Sequence, residues 1–185
     1  AGMMVGVIHP AASIVREKER GTLEQLLVAP ISTFQLFLAK IAPTMIIGLL
    51  AVFPSLLIVR AFDVPMRGSL ALFLILTGFF LLSAVALGVL IAAYSRTLQQ
   101  ALLLSFFGLF PVMFLSGTLT PVEAMPDVLQ ALSRLSPLRY YMDIIIGVFL
   151  KGVGWRDLWD ESLCLIAIAI PMLILSLGIF RRRLQ

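Results

Sequence analysis

Residues 16–30, REKERGTLEQLLVAP, form the one dense run of charge in a chain that is otherwise mostly hydrocarbon. Three bases, Arg16, Lys18 and Arg20, alternate with two acids, Glu17 and Glu19, and the run closes on Gly21. Thr22-Leu23-Glu24-Gln25 then has capping-box spacing, with a threonine N-cap and a glutamine at N3 each serving an orphan backbone N–H. Pro30 cannot continue a helix and biases Ala29 away from helical geometry. The spacing therefore predicts a helix over residues 23–29, about two turns and on the order of 10 Å long. Leu23, Leu26 and Leu27 share one face, with Glu24 and Gln25 on the other. Two turns are too few to be stable alone in water, so the leucine face needs a neighbour. A second capping box, Ser32-Thr33-Phe34-Gln35, opens the next apolar helix. The order of long helix, glycine break, short amphipathic helix, proline and long helix describes an element lying along a membrane surface between two spans. The plainer alternative is a positive-inside flank followed by a solvated turn.

The composition around this run is that of a polytopic membrane protein. The chain has 185 residues, 61% of them hydrophobic and only 13% charged, with mean hydropathy +1.06. Soluble domains run near half apolar and a quarter charged. The net charge of +4 does not point to nucleic acid, because the bases flank apolar segments and form no stripe on a polar domain. One cysteine, Cys164, and one histidine, His9, leave no disulfide pair and no metal-ligand set.

Uncharged runs give the spans. Residues 41–59, 69–94, 101–119 and 162–180 are continuous and apolar, without the alternation of a barrel strand. Residues 1–15 are too short to cross, and read as the end of a span within a longer subunit. Lys40 stands at the start of one run, where it can snorkel to the headgroups. With the REKER run inside, parity puts Arg96 and Arg181 to Arg183 on the same side. Eight bases then lie inside and six outside, namely Arg60, Arg67, Arg134, Arg139, Lys151 and Arg156. The inside bases sit in short loops or at span ends, where the charge rule applies best. Ala84, Gly88 and Ala92 form a small-residue ladder suited to close helix packing, more often within one chain than between two. Pro43, Pro54 and Pro111 interrupt apolar helices.

Between the last two spans lies a second organised stretch. Thr120-Pro121-Val122-Glu123 has the spacing of a capping box with proline at N1. Ser136-Pro137 repeats the N-cap and N1 pattern ahead of a helix over residues 138–150, which carries Arg139 and Asp143 and is too short to cross. A re-entrant or interfacial hairpin fits, with Tyr140, Tyr141, Trp155 and Trp159 at headgroup depth.

The chain resembles ABC-2 type transporter permeases in both stretches. Glu17, Glu19, Arg20, Gly21, Thr22, Glu24, Leu26 and Pro30 match the pattern E-x-E-R-G-T-x-E-x-L-x-x-x-P of that family's cytoplasmic coupling helix. Ala29 stands where many members have threonine. Leu115, Ser116, Gly117, Pro121, Met125, Pro126, Leu129, Leu135, Pro137, Leu138, Tyr140, Gly147, Leu150, Lys151 and Gly152 match the last outer loop. The two patterns lie about 90 residues apart in the family's order.

The resemblance implies an all-α polytopic helix bundle with a short cytoplasmic coupling helix and an outer re-entrant hairpin. In that scheme residues 1–20 end a span and 21–30 are the coupling helix. Residues 34–59, 69–94, 99–119 and 162–180 are spans, and 120–154 are the hairpin. It implies that Glu17, Glu19, Arg20, Gly21, Thr22, Leu23, Glu24, Leu26, Leu27 and Pro30 couple to a separate ABC ATPase subunit, which would hold ATP and Mg. Gly117, Pro121, Met125, Pro126, Pro137, Tyr140, Gly147 and Gly152 would shape the hairpin. A second permease copy or paralogue and membrane lipids are the other expected partners. The expected setting is a bacterial inner membrane, with the C-terminus cytoplasmic and efflux of an amphipathic drug, lipid or lipid-linked glycan. A membrane scaffold holding a soluble partner is the alternative.

Other chemistries lack their residues. The sequence has no G-x-x-x-x-G-K-[ST], so a phosphate-binding loop would have to come from a partner. His9 is the only imidazole available to a serine nucleophile, and no acid lies inside the four complete apolar runs.

Overall fold

The first helix, α1 (Gly2–Glu19), ends because Gly21 turns into left-handed backbone at φ 69°, which only glycine adopts without a Cβ penalty. Its amide folds back on the Lys18 carbonyl at 3.2 Å. In the computed structural model the chain is described over residues 2–22, 32–62, 68–118, 120–152, 154–155 and 157–184, without the side chains of 183 and 184. Residues 23–31, where the surface helix was expected, lie outside the described residues.

The second helix starts on the capping box expected at Ser32. The Ser32 amide donates to Gln35 Oε1 at 3.0 Å, and the Gln35 amide donates to Ser32 Oγ at 3.2 Å. Helix α2 (Thr33–Leu50) stops where Pro54 intervenes. Proline has no N–H for the Leu50 carbonyl, and its ring excludes that carbonyl sterically. The run read as a span over 34–59 is broken at Ala51 into α2 and α3 (Val52–Ala61), which together still form one segment long and apolar enough to cross a membrane. Helices α4 (Leu70–Tyr94), α5 (Leu98–Leu115) and, later, α8 (Trp159–Leu184) carry the remaining apolar runs. Among the described residues four segments are long and apolar enough to cross a membrane: Thr33–Ala61, Leu70–Tyr94, Leu98–Leu115 and Trp159–Arg182. No strand occurs among the described residues, and the fold is an all-α membrane helix bundle.

The chain forms two compact units. The first comprises Ala1–Gly48, Leu81–Leu109 and Ile170–Gln185. Its core joins Ile14 and Val15 of α1, Phe37 and Ile41 of α2, Val85 and Val89 of α4, Ala101 of α5 and Phe180 of α8. The Phe37 and Phe180 rings meet at 5.7 Å. Ala84, Gly88 and Ala92 pack within the chain, against α1. A Cβ on Gly88 would stand 2.4 Å from the Val7 carbonyl oxygen, and one on Gly6 would stand 2.7 Å from Ala84 Cβ. Only residues without bulk allow so close an approach in an apolar setting. Contacts rise in number along both helices together, so α1 and α4 run parallel.

The second unit comprises Leu49–Phe80 and Phe110–Ala169. Helix α5 stops at Leu115, and Gly117 follows with φ 81°. A single 3-10 turn, Val122–Ala124, replaces the helix expected from Thr120, and no side chain caps it. Met125 is extended at φ −85° and ψ 153°, as its place before Pro126 requires, so the turn cannot propagate. Helix α6 (Asp127–Ser133) leads to Ser136 and α7 (Pro137–Ile146). Pro137 does occupy N1, but Ser136 does not cap the helix; its hydroxyl donates to the Val112 carbonyl at 3.4 Å. The helix expected over 138–150 is α7 followed by a π-helical turn, Gly147–Lys151, closed by Gly152 in left-handed backbone at φ 66°. Widening the last turn in this way leaves Val148 and Phe149 buried and the Val148 carbonyl free to accept the Gly68 amide at 3.0 Å.

Candidate functional site at the charged end of the first unit

The REKER run closes α1 beside the ends of two other helices and the third turn of another, all in the first unit. Glu17 forms an ion pair with Lys40 of α2, two turns along from its capping box. Lys40 was expected to snorkel to headgroups; its side chain is instead 16% exposed and spent on this pair. Lys18 Nζ donates to the Ala92 carbonyl at 2.5 Å, in the last turn of α4. Glu19 Oε1 accepts the Leu98 amide at 2.8 Å, the first N–H of α5. These are backbone groups that a helix leaves without internal partners at its two ends. A base at a carbonyl end and an acid at an amide end also complement the helix dipoles.

The remaining residues of the run sit around this knot. The Arg20 amide donates to the Arg16 carbonyl at 3.1 Å, and both side chains are exposed. The Thr22 hydroxyl donates to the Glu17 carbonyl at 3.3 Å; Gln25, its expected capping-box partner, is not among the described residues. Leu23, Glu24, Leu26, Leu27 and Pro30 lie outside them as well. Arg16 and Arg20 flank one end of a groove of about 650 Å³ along α1, whose other lining includes Met4, Ile8, His9 and Leu102. His9 Nδ1 is hydrogen-bonded to Thr44 Oγ1 at 2.8 Å, tying α1 to α2 in mid-helix.

Sequence reasoning missed the turn that faces the run. Thr97 Oγ1 accepts the Gln100 amide at 3.2 Å, and Gln100 Oε1 accepts the Arg96 amide at 2.9 Å. The signal was present as Thr97-Leu98-Gln99-Gln100, a further capping box. The partners of Glu17 and Glu19 carried no such signal, because residues 40 and 98 meet them only through the fold.

The residues expected to shape the outer hairpin belong to the second unit and not to this site. Tyr140 donates its hydroxyl to the Arg134 carbonyl at 2.9 Å, and Met125 is buried, its carbonyl accepting Gln130 Nε2 at 2.9 Å. Gly117, Pro121, Pro126, Pro137, Gly147 and Gly152 all stand at turns or helix ends. Tyr141, expected at headgroup depth, is buried instead. Its ring stacks on Phe80, and its hydroxyl is hydrogen-bonded to Thr77 Oγ1 at 3.0 Å. Burial pushes the Tyr141 phenol above its ordinary value, and the Thr77 bond pulls the other way. Trp155 and Trp159 are exposed and meet edge to face at 6.0 Å.

Four apolar segments of span length, packed as helices with one alternating charge run at the end of α1, define an integral membrane protein. Residues 1–150 match the model of the ABC-2 type transporter family, and the chain belongs to that family. It is 36% identical over 98% of its length to the probable multidrug ABC transporter permease YbhR of Escherichia coli (strain K12). It is 29% identical over 97% of its length to the inner membrane transport permease YhhJ of the same organism. A more distant likeness, 27% over 90% of the chain, is to ABC transporter G family member 20 of Dictyostelium discoideum. The chain spans about half the length of YbhR and YhhJ, 50% and 48%, and 23% of the third.

Proposed function

We propose that this chain is the C-terminal, membrane-spanning part of a permease subunit in an ATP-driven exporter, the subunit's first span beginning outside it. Residues 21–30 dock on a separate ATPase subunit, which binds ATP and Mg, and a second permease copy or paralogue completes the translocation path. The cargo is an amphipathic molecule; the multidrug name of YbhR favours a drug-like compound over a lipid or a lipid-linked glycan. The charged end faces the cytoplasm, and the segment 120–154 is a re-entrant hairpin on the outer side of a bacterial inner membrane.

One observation carries this reading. The end of α1 is bonded to the ends of α4 and α5 and to α2 two turns in, beside the segment that the family resemblance assigns to coupling, so a push there has several spans to act on. The test is co-purification of the full-length protein with the P-loop ATPase encoded next to it, followed by transport in proteoliposomes. ATP-dependent movement of an amphipathic cation or drug, lost when the ATPase's P-loop lysine is replaced, is the expected result. A stable permease that recovers no ATPase and moves nothing would favour a scaffold.

A further inference from the structure

Three consecutive side chains leave α1 for three different helices. Glu17 goes to Lys40 of α2, Lys18 to the Ala92 carbonyl of α4, and Glu19 to the Leu98 amide of α5. The period of the helix makes this geometry available, since adjacent residues are set about 100° apart around the axis. The alternation of sign supplies the chemistry, because an acid meets a lysine, a base meets helix-terminal carbonyl oxygen and an acid meets a helix-terminal amide. Lys18 and Glu19 therefore grip both sides of the 95–97 turn, which holds itself in shape through Thr97 and Gln100. Two residues later Gly21 breaks the helix. The side chains of Arg16 and Arg20, the other charges of the run, have no hydrogen-bond or ion-pair partner among the described residues.

We propose that Glu17, Lys18 and Glu19 are positioning residues forming a rigid junction, which converts one displacement of the segment after Gly21 into joint movement of α2, α4 and α5. This rests on the exporter reading above. It differs from the role the family resemblance implies for Glu17 and Glu19, because each carboxylate bonds to another helix of the same chain, Glu17 part-buried and Glu19 at the surface. Arg16 and Arg20, exposed one turn apart and without a side-chain partner among the described residues, are the charges of the run that we assign to the ATPase.

The experiment uses the full-length permease with its ATPase in proteoliposomes, and measures ATPase recovery, ATP hydrolysis and transport per ATP. Glu17→Lys and Lys40→Glu should each lower transport per ATP about tenfold with normal ATPase recovery, and the combined charge swap should restore it to within about threefold, as contacting residues couple in a double-mutant cycle. Glu19→Ala should show the same loss, whereas Glu19→Gln, whose amide oxygen still accepts the Leu98 amide, should keep coupling. If a single variant fails to fold, the swap decides: a folded swap that remains uncoupled overturns the junction. Normal coupling in Glu19→Ala also overturns it, as does loss of ATPase recovery in Glu19→Ala and Glu19→Gln alike, which would put that carboxylate on the partner. A wild-type complex that hydrolyses ATP without transport removes the exporter reading and the junction with it, whereas an active wild type with indifferent variants removes the junction alone.

Discussion

Tyr141 lies flat on Phe80, their ring centroids 4.1 Å apart and their planes 4° from parallel. The same ring stands 6.4 Å from Phe73, which meets Phe149 edge to face at 5.0 Å. Helix α7 is thus fastened to α4 by an aromatic stack with one hydroxyl bond at its tip. Removing the hydroxyl alone, with Tyr141→Phe, should cost about 0.5–1.5 kcal/mol. Tyr141→Ala removes the ring as well and should cost about 3–5 kcal/mol. Thermal melting of the purified protein in detergent measures both; equal losses for the two variants would show that the stack contributes nothing.

The seam between α1 and α4 should tolerate no side chain at position 88. A β-carbon there meets backbone oxygen, which cannot rotate away, at 2.4 Å. Gly88→Leu should destabilise the bundle by about 1–3 kcal/mol or more, the usual cost of overpacking. Gly108, which has nothing within 4 Å of its Cβ position, is the matched control. A Gly88→Leu protein that melts with the Gly108→Leu control would refute the seam.

Sidedness can be checked by cysteine labelling in a Cys164→Ala background. Single cysteines at positions 21 and 184 should react only with reagent on the cytoplasmic side, and one at 127 only from outside. The hairpin reading further requires Lys151→Cys to label from outside. Labelling of position 151 from the cytoplasm would make α7 a crossing helix.

Replacing Leu26 and Leu27 together with Asp should abolish recovery of the ATPase while leaving the permease in the membrane. Each leucine buried at an interface contributes about 1.5–3 kcal/mol, and an unpaired carboxylate there adds a penalty of its own. A loss of several kcal/mol is at least a hundredfold in affinity, since about 1.4 kcal/mol is tenfold. Pull-down of the ATPase by the double variant gives the answer, and normal recovery counts against docking through this face.

What was legible in the sequence was whatever a residue does to its own backbone. Ser32 and Gln35 cap α2, Gly21 ends α1, and Pro137 opens α7, because capping and φ preferences act over a few residues. Ser136 and Thr120 show the limit of that logic. The Ser136 hydroxyl turns to the Val112 carbonyl, and the Thr120 box yields one 3-10 turn because Pro126 stops it. The small-residue ladder in α4 announced a close partner without naming α1. Least legible were the charges. Glu17 and Glu19 read as charges of the coupling segment and Lys40 as a headgroup residue, and their partners 23 and 79 positions away in the chain leave no periodic trace.

The parallel course of α1 and α4 has a consequence for biosynthesis. Parallel neighbours cannot be joined by a tight turn, so α2 and α3 must carry the chain back before it can return as α4 and the two can meet. Until Gly88 leaves the ribosome and inserts, the Gly6, Val7 and Pro10 face of α1 lacks the helix that packs on it. A nascent chain arrested in the loop before α4 is then a natural substrate for membrane quality control, and its lifetime should depend on how quickly the ladder Ala84, Gly88 and Ala92 follows.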